Sequence, residues 1–161
     1  MRIFTNPRQA NHHPRDEIFR GNRVPCFETP SRATFVEHAL RARGHVLHAP
    51  DVDSAVVLGK VHAARYLEFL RSAWDQWLAL GAANADEQPF PSAWPVRTLR
   101  SDIEPQNFTA RLGLYSMDNG SPLCAGTWAA AKAGADAAAS AAQALLKGER
   151  SSFCATRPPG H

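Results

Sequence analysis

Apolar residues along the chain repeat with a helical period in three places. Val61, Ala64, Leu67, Leu70, Trp74, Trp77 and Leu78 lie three or four apart, predicting one long amphipathic helix over 60–80 that Gly81 ends, with this stripe as core. Phe35, Val36, Ala39 and Leu40 predict a second helix over 31–43, with Ser31 as N-cap and Gly44 as stop. An alanine-rich run over 127–147, closed by Gly148, predicts a third, whose small side chains suit close packing against a sheet. Strands are expected at 1–5, around Ile3 and Phe4, at 45–49 before Pro50, and at 152–155. Pro7, Pro14, Pro25 and Pro30 make 6–30 read as loop, and 82–125 shows no sustained period. Strands alternating with helices predict an α/β fold with a parallel sheet, whose chemistry lies in loops at the carboxyl ends of the strands.

Composition narrows the picture. With 161 residues, 44% of them hydrophobic and 20% charged, the chain supports one core and a single domain. The net charge of +3 is small and dispersed, which argues against nucleic acid as a partner. No stretch approaches the roughly 18 apolar residues of a membrane span, and the N-terminus has no export signal. Cys26, Cys124 and Cys154 have neither disulfide-framework nor zinc-ribbon spacing, so a reducing, cytoplasmic setting is expected.

Candidate chemistry centres on His161. It follows Arg157-Pro158-Pro159-Gly160, a stiff approach beyond a strand end, and imidazole titrates near neutrality, as a general base or acid requires. An inconsequential turn histidine stays open beside that reading. His12 and His13, in a proline-flanked loop, read as solvent-exposed, and His38 and His62 as structural. His45 and His48 point to opposite faces of a strand. Asp51 and Asp53 read as turn and helix caps rather than cation ligands. Dinucleotide, phosphate-loop, GxSxG and HExxH motifs are absent. Phe90 to Trp94, aromatics set between prolines, either cover a core or line a binding surface.

Arg157-Pro158-Pro159-Gly160-His161, after a short apolar strand and a helix opening Gly126-Thr127-Trp128, resembles the front half of the zinc-dependent histone deacetylase superfamily, above all its bacterial acetylpolyamine amidohydrolases. Arg23-Val24-Pro25-Cys26-Phe27-Glu28-Thr29-Pro30 resembles that subfamily's first loop, Lys60-Val61-His62 with Tyr66-Leu67 its helix start, and Asp102-Ile103-Glu104 falls in its long loop. The resemblance spans essentially the whole chain. It implies the N-terminal portion of a parallel-sheet, arginase/deacetylase-like three-layer fold, and hydrolysis of the acetamide of acetylated polyamines or related acylated amines to acetate and free amine.

The same resemblance assigns roles. His161 would be the first of a tandem histidine pair beside a metal-bound water, assisting attack and proton transfer to the departing amine, with zinc supplying the activated water. Glu17, Phe19 and Phe27 correspond to first-loop positions beside the substrate channel, where a carboxylate suits an ammonium group and aromatic faces suit methylenes and cations. Glu104 lies in the loop that narrows the channel and helps form a homodimer. Asp118 occupies the region where relatives hold substrate through an aspartate, while Gly120 stands where some polyamine-specific members carry an acidic residue. The family's second histidine, its Asp-x-His zinc ligands and its later aspartate and tyrosine have no counterpart in these 161 residues. The chain therefore reads as truncated, without metal ligands and inactive alone. The alternative is a catalytically inactive chain acting through dimerisation or partner binding.

Overall fold

In the computed structural model, which describes residues 1–96, 98 and 100–159, the chain runs β1 (Arg2–Thr5), β2 (Asp16–Phe19), β3 (Asn22–Pro25), α1 (Ser31–Ala42), β4 (Leu47–His48), α2 (Ala55–Val61), α3 (Ala64–Ala79), α4 (Phe108–Leu114), α5 (Thr127–Leu146) and β5 (Ser152–Ala155). These elements form two compact units, residues 1–13, 28–63 and 126–159 in one, residues 14–27 and 64–125 in the other.

The first unit is the parallel α/β part. Its three strands pair in the order β4-β1-β5, all parallel, with Ile3 opposite Leu47 and Phe153, and Phe4 opposite His48 and Cys154. The two-residue alternation of a strand sends these two rows to opposite faces. Phe4 and Cys154 meet Ala137, Ala141 and Ala144 of α5, so the alanine run lies against the sheet as its small side chains allow. The connection from β1 to β4 runs one way along the sheet and that from β4 to β5 runs back. Right-handed crossovers in opposite directions place α1 and α5 on opposite faces, which gives three layers.

The turn before α2 is pinned onto α5 by polar groups. Backbone N–H groups of Asp51 and Val52 donate to Ser140 Oγ (3.0 and 3.1 Å), and that of Ser54 donates to Asp136 Oδ1 (2.7 Å). Lys132 Nζ bridges Asp53 and Asp136 (2.7 and 2.6 Å), and Asp53, one residue before the Ser54 N-cap, accepts from the Ala55 N–H (2.9 Å) in an Asx turn.

The second unit contains an antiparallel hairpin, β2–β3, turned by Arg20 (φ 51°) and Gly21 (φ 79°), the left-handed pair that a two-residue hairpin loop demands. Gln88 Oε1 accepts from the backbone N–H of Arg15 (2.8 Å) and of Asp16 (3.0 Å), anchoring the base of the hairpin. The core joins Phe69 and Ala73 of α3 to Phe108 and Leu112 of α4 and to Leu123.

Three expectations are corrected. The helix over 60–80 is two helices, because His62 adopts an extended conformation between α2 and α3. Its buried face runs through Phe69 and Ala73, with Leu70 and Trp77 flanking, whereas Val61 is 71% exposed and Leu78 is exposed. The segments 6–30 and 82–125 hold structure that periodicity misses: short 3-10 turns at Gln9–Asn11 and Ala82–Asp86, the hairpin, and α4, capped by Asn107 accepting from the Ala110 N–H. His12 is buried rather than exposed. No helix among the described residues is long and apolar enough to cross a membrane.

Candidate functional site

The carboxyl ends of β1 and β5 are joined by a network of buried polar side chains. Asn6, the first residue after β1, donates from Nδ2 to the carbonyls of Ala130 (2.8 Å) in α5 and Arg157 (2.6 Å) just beyond β5. Its Oδ1 accepts from the Arg8 N–H (2.9 Å), so one amide side chain fixes strand exit, helix and loop together. Gly134 leaves the space on α5 that Thr156 fills, since a Cβ there would lie 2.8 Å from Thr156 Oγ1.

Arg157 is 4% exposed. Its Nε donates to Glu28 Oε1 (2.6 Å), Nη1 to the carbonyls of Gln9 and His12 (2.8 Å for His12), and Nη2 to the Glu28 carbonyl (3.3 Å). Glu28 also pairs with Arg32. His12 lies against this cation, and its Nδ1 is 3.0 Å from Thr127 Oγ1 in the first turn of α5. Burial, and after it the Arg157 charge, push the His12 imidazole down from 6.5 to about 4, so at neutral pH the ring is neutral. Gly126 completes the junction: a Cβ there would lie 2.1 Å from the Asn11 carbonyl oxygen.

In the second unit, the hairpin brings three of the expected first-loop residues together. Glu17 Oε2 accepts from the Phe27 N–H (3.0 Å) and from Cys26 Sγ (3.3 Å). The rings of Phe19 and Phe27 stand edge to face, 5.8 Å apart at 88°, and both are exposed, with the Arg20 guanidinium 5.1 Å from the Phe19 ring centre. A carboxylate beside two exposed aromatic faces is a surface that attracts organic cations. The other two expected residues sit with neighbours of their own. Glu104 lines a cleft of about 330 Å³ with Arg65, Phe69, Gln76 and Arg111, and burial followed by the Glu104 charge raises the pKa of Tyr115. Asp118 Oδ1 accepts from the Gly120 N–H (2.8 Å) within its own turn. His161 lies outside the described residues. Among the described residues no group of three or more His, Cys, Asp or Glu side chains could hold a metal ion.

Arg157, Glu28 and Thr127 stand in the sequence motifs, and Asn6 in a turn dipeptide, with no task assigned to any of them there. The one available signal is that Asn6-Pro7 and Arg157-Pro158 stand within two residues of the ends of two strands, where parallel sheets carry their chemistry.

Residues 26–161 match the histone deacetylase domain family. The chain is 42% identical over 151 residues to acetylpolyamine amidohydrolase 2 of Pseudomonas aeruginosa, covering 93% of this chain and 43% of that protein. It is 31% identical over 162 aligned positions to the acetylpolyamine amidohydrolase of Mycoplana ramosa, covering 100% and 46%. A crystal structure of acetylpolyamine aminohydrolase from Burkholderia pseudomallei superposes with a TM-score of 0.84 at 29% identity, over 100% of this chain and 46% of that one. The chain thus spans less than half the length of these relatives.

Proposed function

Because the chain belongs to the histone deacetylase family, and its fold is the N-terminal portion of that family's parallel α/β architecture, we propose that it supplies the front part of an amidohydrolase acting on acetylated polyamines or related acylated amines. The observation that carries this reading is the match of at least 93% of the chain to acetylpolyamine amidohydrolases from three organisms. In the reaction water adds to the acetamide carbonyl and the C–N bond breaks, giving acetate and the free amine.

Glu17, Phe19 and Phe27 would receive the substrate's cationic and methylene portions. Glu17 is suited to this because its carboxylate is held by the Phe27 N–H, with the two exposed rings as walls. His161 would take the proton from the attacking water and return one to the leaving amine. Glu104 would narrow the approach and contribute to a homodimer, and Asp118 would contact substrate. The family implies zinc, but the described residues do not converge into a set able to hold it. Cytoplasmic placement belongs to the same proposal and is supported by Cys26, Cys124 and Cys154, which form no disulfide with one another.

The test uses a chain that continues these 161 residues with the C-terminal portion its relatives carry, assayed with zinc on acetylputrescine, acetylspermidine and an acetyl-lysine peptide. Hydrolysis of the acetylated polyamines, lost on chelation and in His161→Ala, is expected. Inertness towards all three substrates overturns the proposal.

A further inference from the structure

Arg157 poses a problem that stability does not solve. Burying a guanidinium and a carboxylate removes both from water, and such a pair commonly contributes no more than a well-packed apolar replacement. A planar fork of donors supplies something an apolar group cannot, namely fixed geometry. Here the fork grips Glu28 through its carboxylate and its carbonyl, and the carbonyls of Gln9 and His12. Three points of the chain, 9, 12 and 28, are thereby locked to the second residue after β5. The Arg157 carbonyl is held in turn by Asn6 Nδ2 (2.6 Å), so backbone and side chain of the same residue are both fixed. Neutral His12, bonded to Thr127, adds no second positive charge beside the fork.

Resting on the functional reading above, we propose that Arg157, held by Glu28, is a positioning residue for His161: it sets where the chain leaves β5, four residues before the imidazole that moves the proton. A misplacement of about 1 Å at a reacting group is enough to lower a rate by roughly 100-fold. The role therefore lies in kcat, with the substrate contacts of the hairpin untouched.

Two measurements test it. In the longer chain, the Arg157 Nε–H should exchange slowly with water and give a resolved 1H–15N signal, which Glu28→Gln should broaden or shift. An Nε–H that exchanges as fast as those of surface arginines overturns the inference. In the longer chain, kcat per folded molecule should fall roughly 10- to 100-fold in Arg157→Met and Glu28→Gln, with KM within about twofold of the parent. Arg157→Lys keeps the charge but not the fork, and should recover thermal stability without recovering kcat. Variants that lower stability while the folded fraction keeps parental kcat and KM assign Arg157 a purely structural role and overturn the proposal. A parent inert towards every acylated amine overturns the functional reading, and this inference falls with it; an active parent with unaffected variants overturns the inference alone.

Discussion

His12 illustrates how a single residue's environment departs from its sequence context. A histidine between polar neighbours and a proline reads as exposed, yet it is 7% exposed, because its carbonyl is gripped by Arg157 and its ring reaches Thr127. Its folded-state pKa of about 4 lies below the unfolded value of 6.5, so the neutral ring is the form that folds. The stability linked to this group is complete above pH 6.5 and is lost as pH falls from 6.5 through 4, by at most about 3 kcal/mol. Urea unfolding at pH 7 and pH 4.5 should show a larger loss in the parent than in His12→Asn, whose amide can still reach Thr127. Equal losses in both would contradict the assignment. Two glycines give opposite expectations at the same scale. Gly126→Ala forces a Cβ onto the Asn11 backbone and should destabilise by about 3 kcal/mol, whereas Gly59→Ala, with nothing within 4 Å inside α2, should stabilise by about 0.5–1 kcal/mol. Thermal melts of the two variants should therefore move in opposite directions.

At the scale of elements, periodicity locates α1, α5 and the parallel strands from local runs whose spacing is visible in the residues themselves, although α1 buries none of its residues. It misjudged α3. The stripe through Val61 and Leu78 has helical spacing, but the face that packs is chosen by Phe108 and Leu112 of α4, about forty residues away, and they select Phe69 and Ala73. Phe69→Ala should therefore cost about 3–5 kcal/mol, and Val61→Ala less than about 0.5 kcal/mol. Chemical denaturation distinguishes this from the stripe as drawn, which predicts comparable costs. The site divides too. Glu17, Phe19 and Phe27 are named by the family resemblance alone; the hairpin that brings them together is not visible in a stretch that reads as loop. The task of Arg157 is not legible at all, because its partners at 9, 12 and 28 lie 129 to 148 positions away along the chain, and only the folded sheet makes them neighbours.

For the molecule as a whole, the decisive feature is that the parallel sheet has open margins. Among the described residues β5 pairs with β1 alone, and Phe153, in the row shared with Ile3 and Leu47, remains 44% exposed beside a free strand edge. Phe35, Val46 and Val56 are exposed in the same unit. An edge strand carrying an aromatic side chain is a template for pairing with another chain, and a net charge of +3 offers little repulsion against it. The relatives have more than half their length outside the matched portion. The 161-residue chain alone should consequently self-associate as its concentration rises through the micromolar range, with apparent mass by light scattering climbing above the 17.6 kDa of a monomer. Phe153→Lys places a charge on the edge, on the face of the sheet away from α5, and should shift the onset of association to higher concentration. A parent that stays at monomer mass over that range, or a lysine variant that associates just as readily, would show that the β5 edge is not what draws copies together.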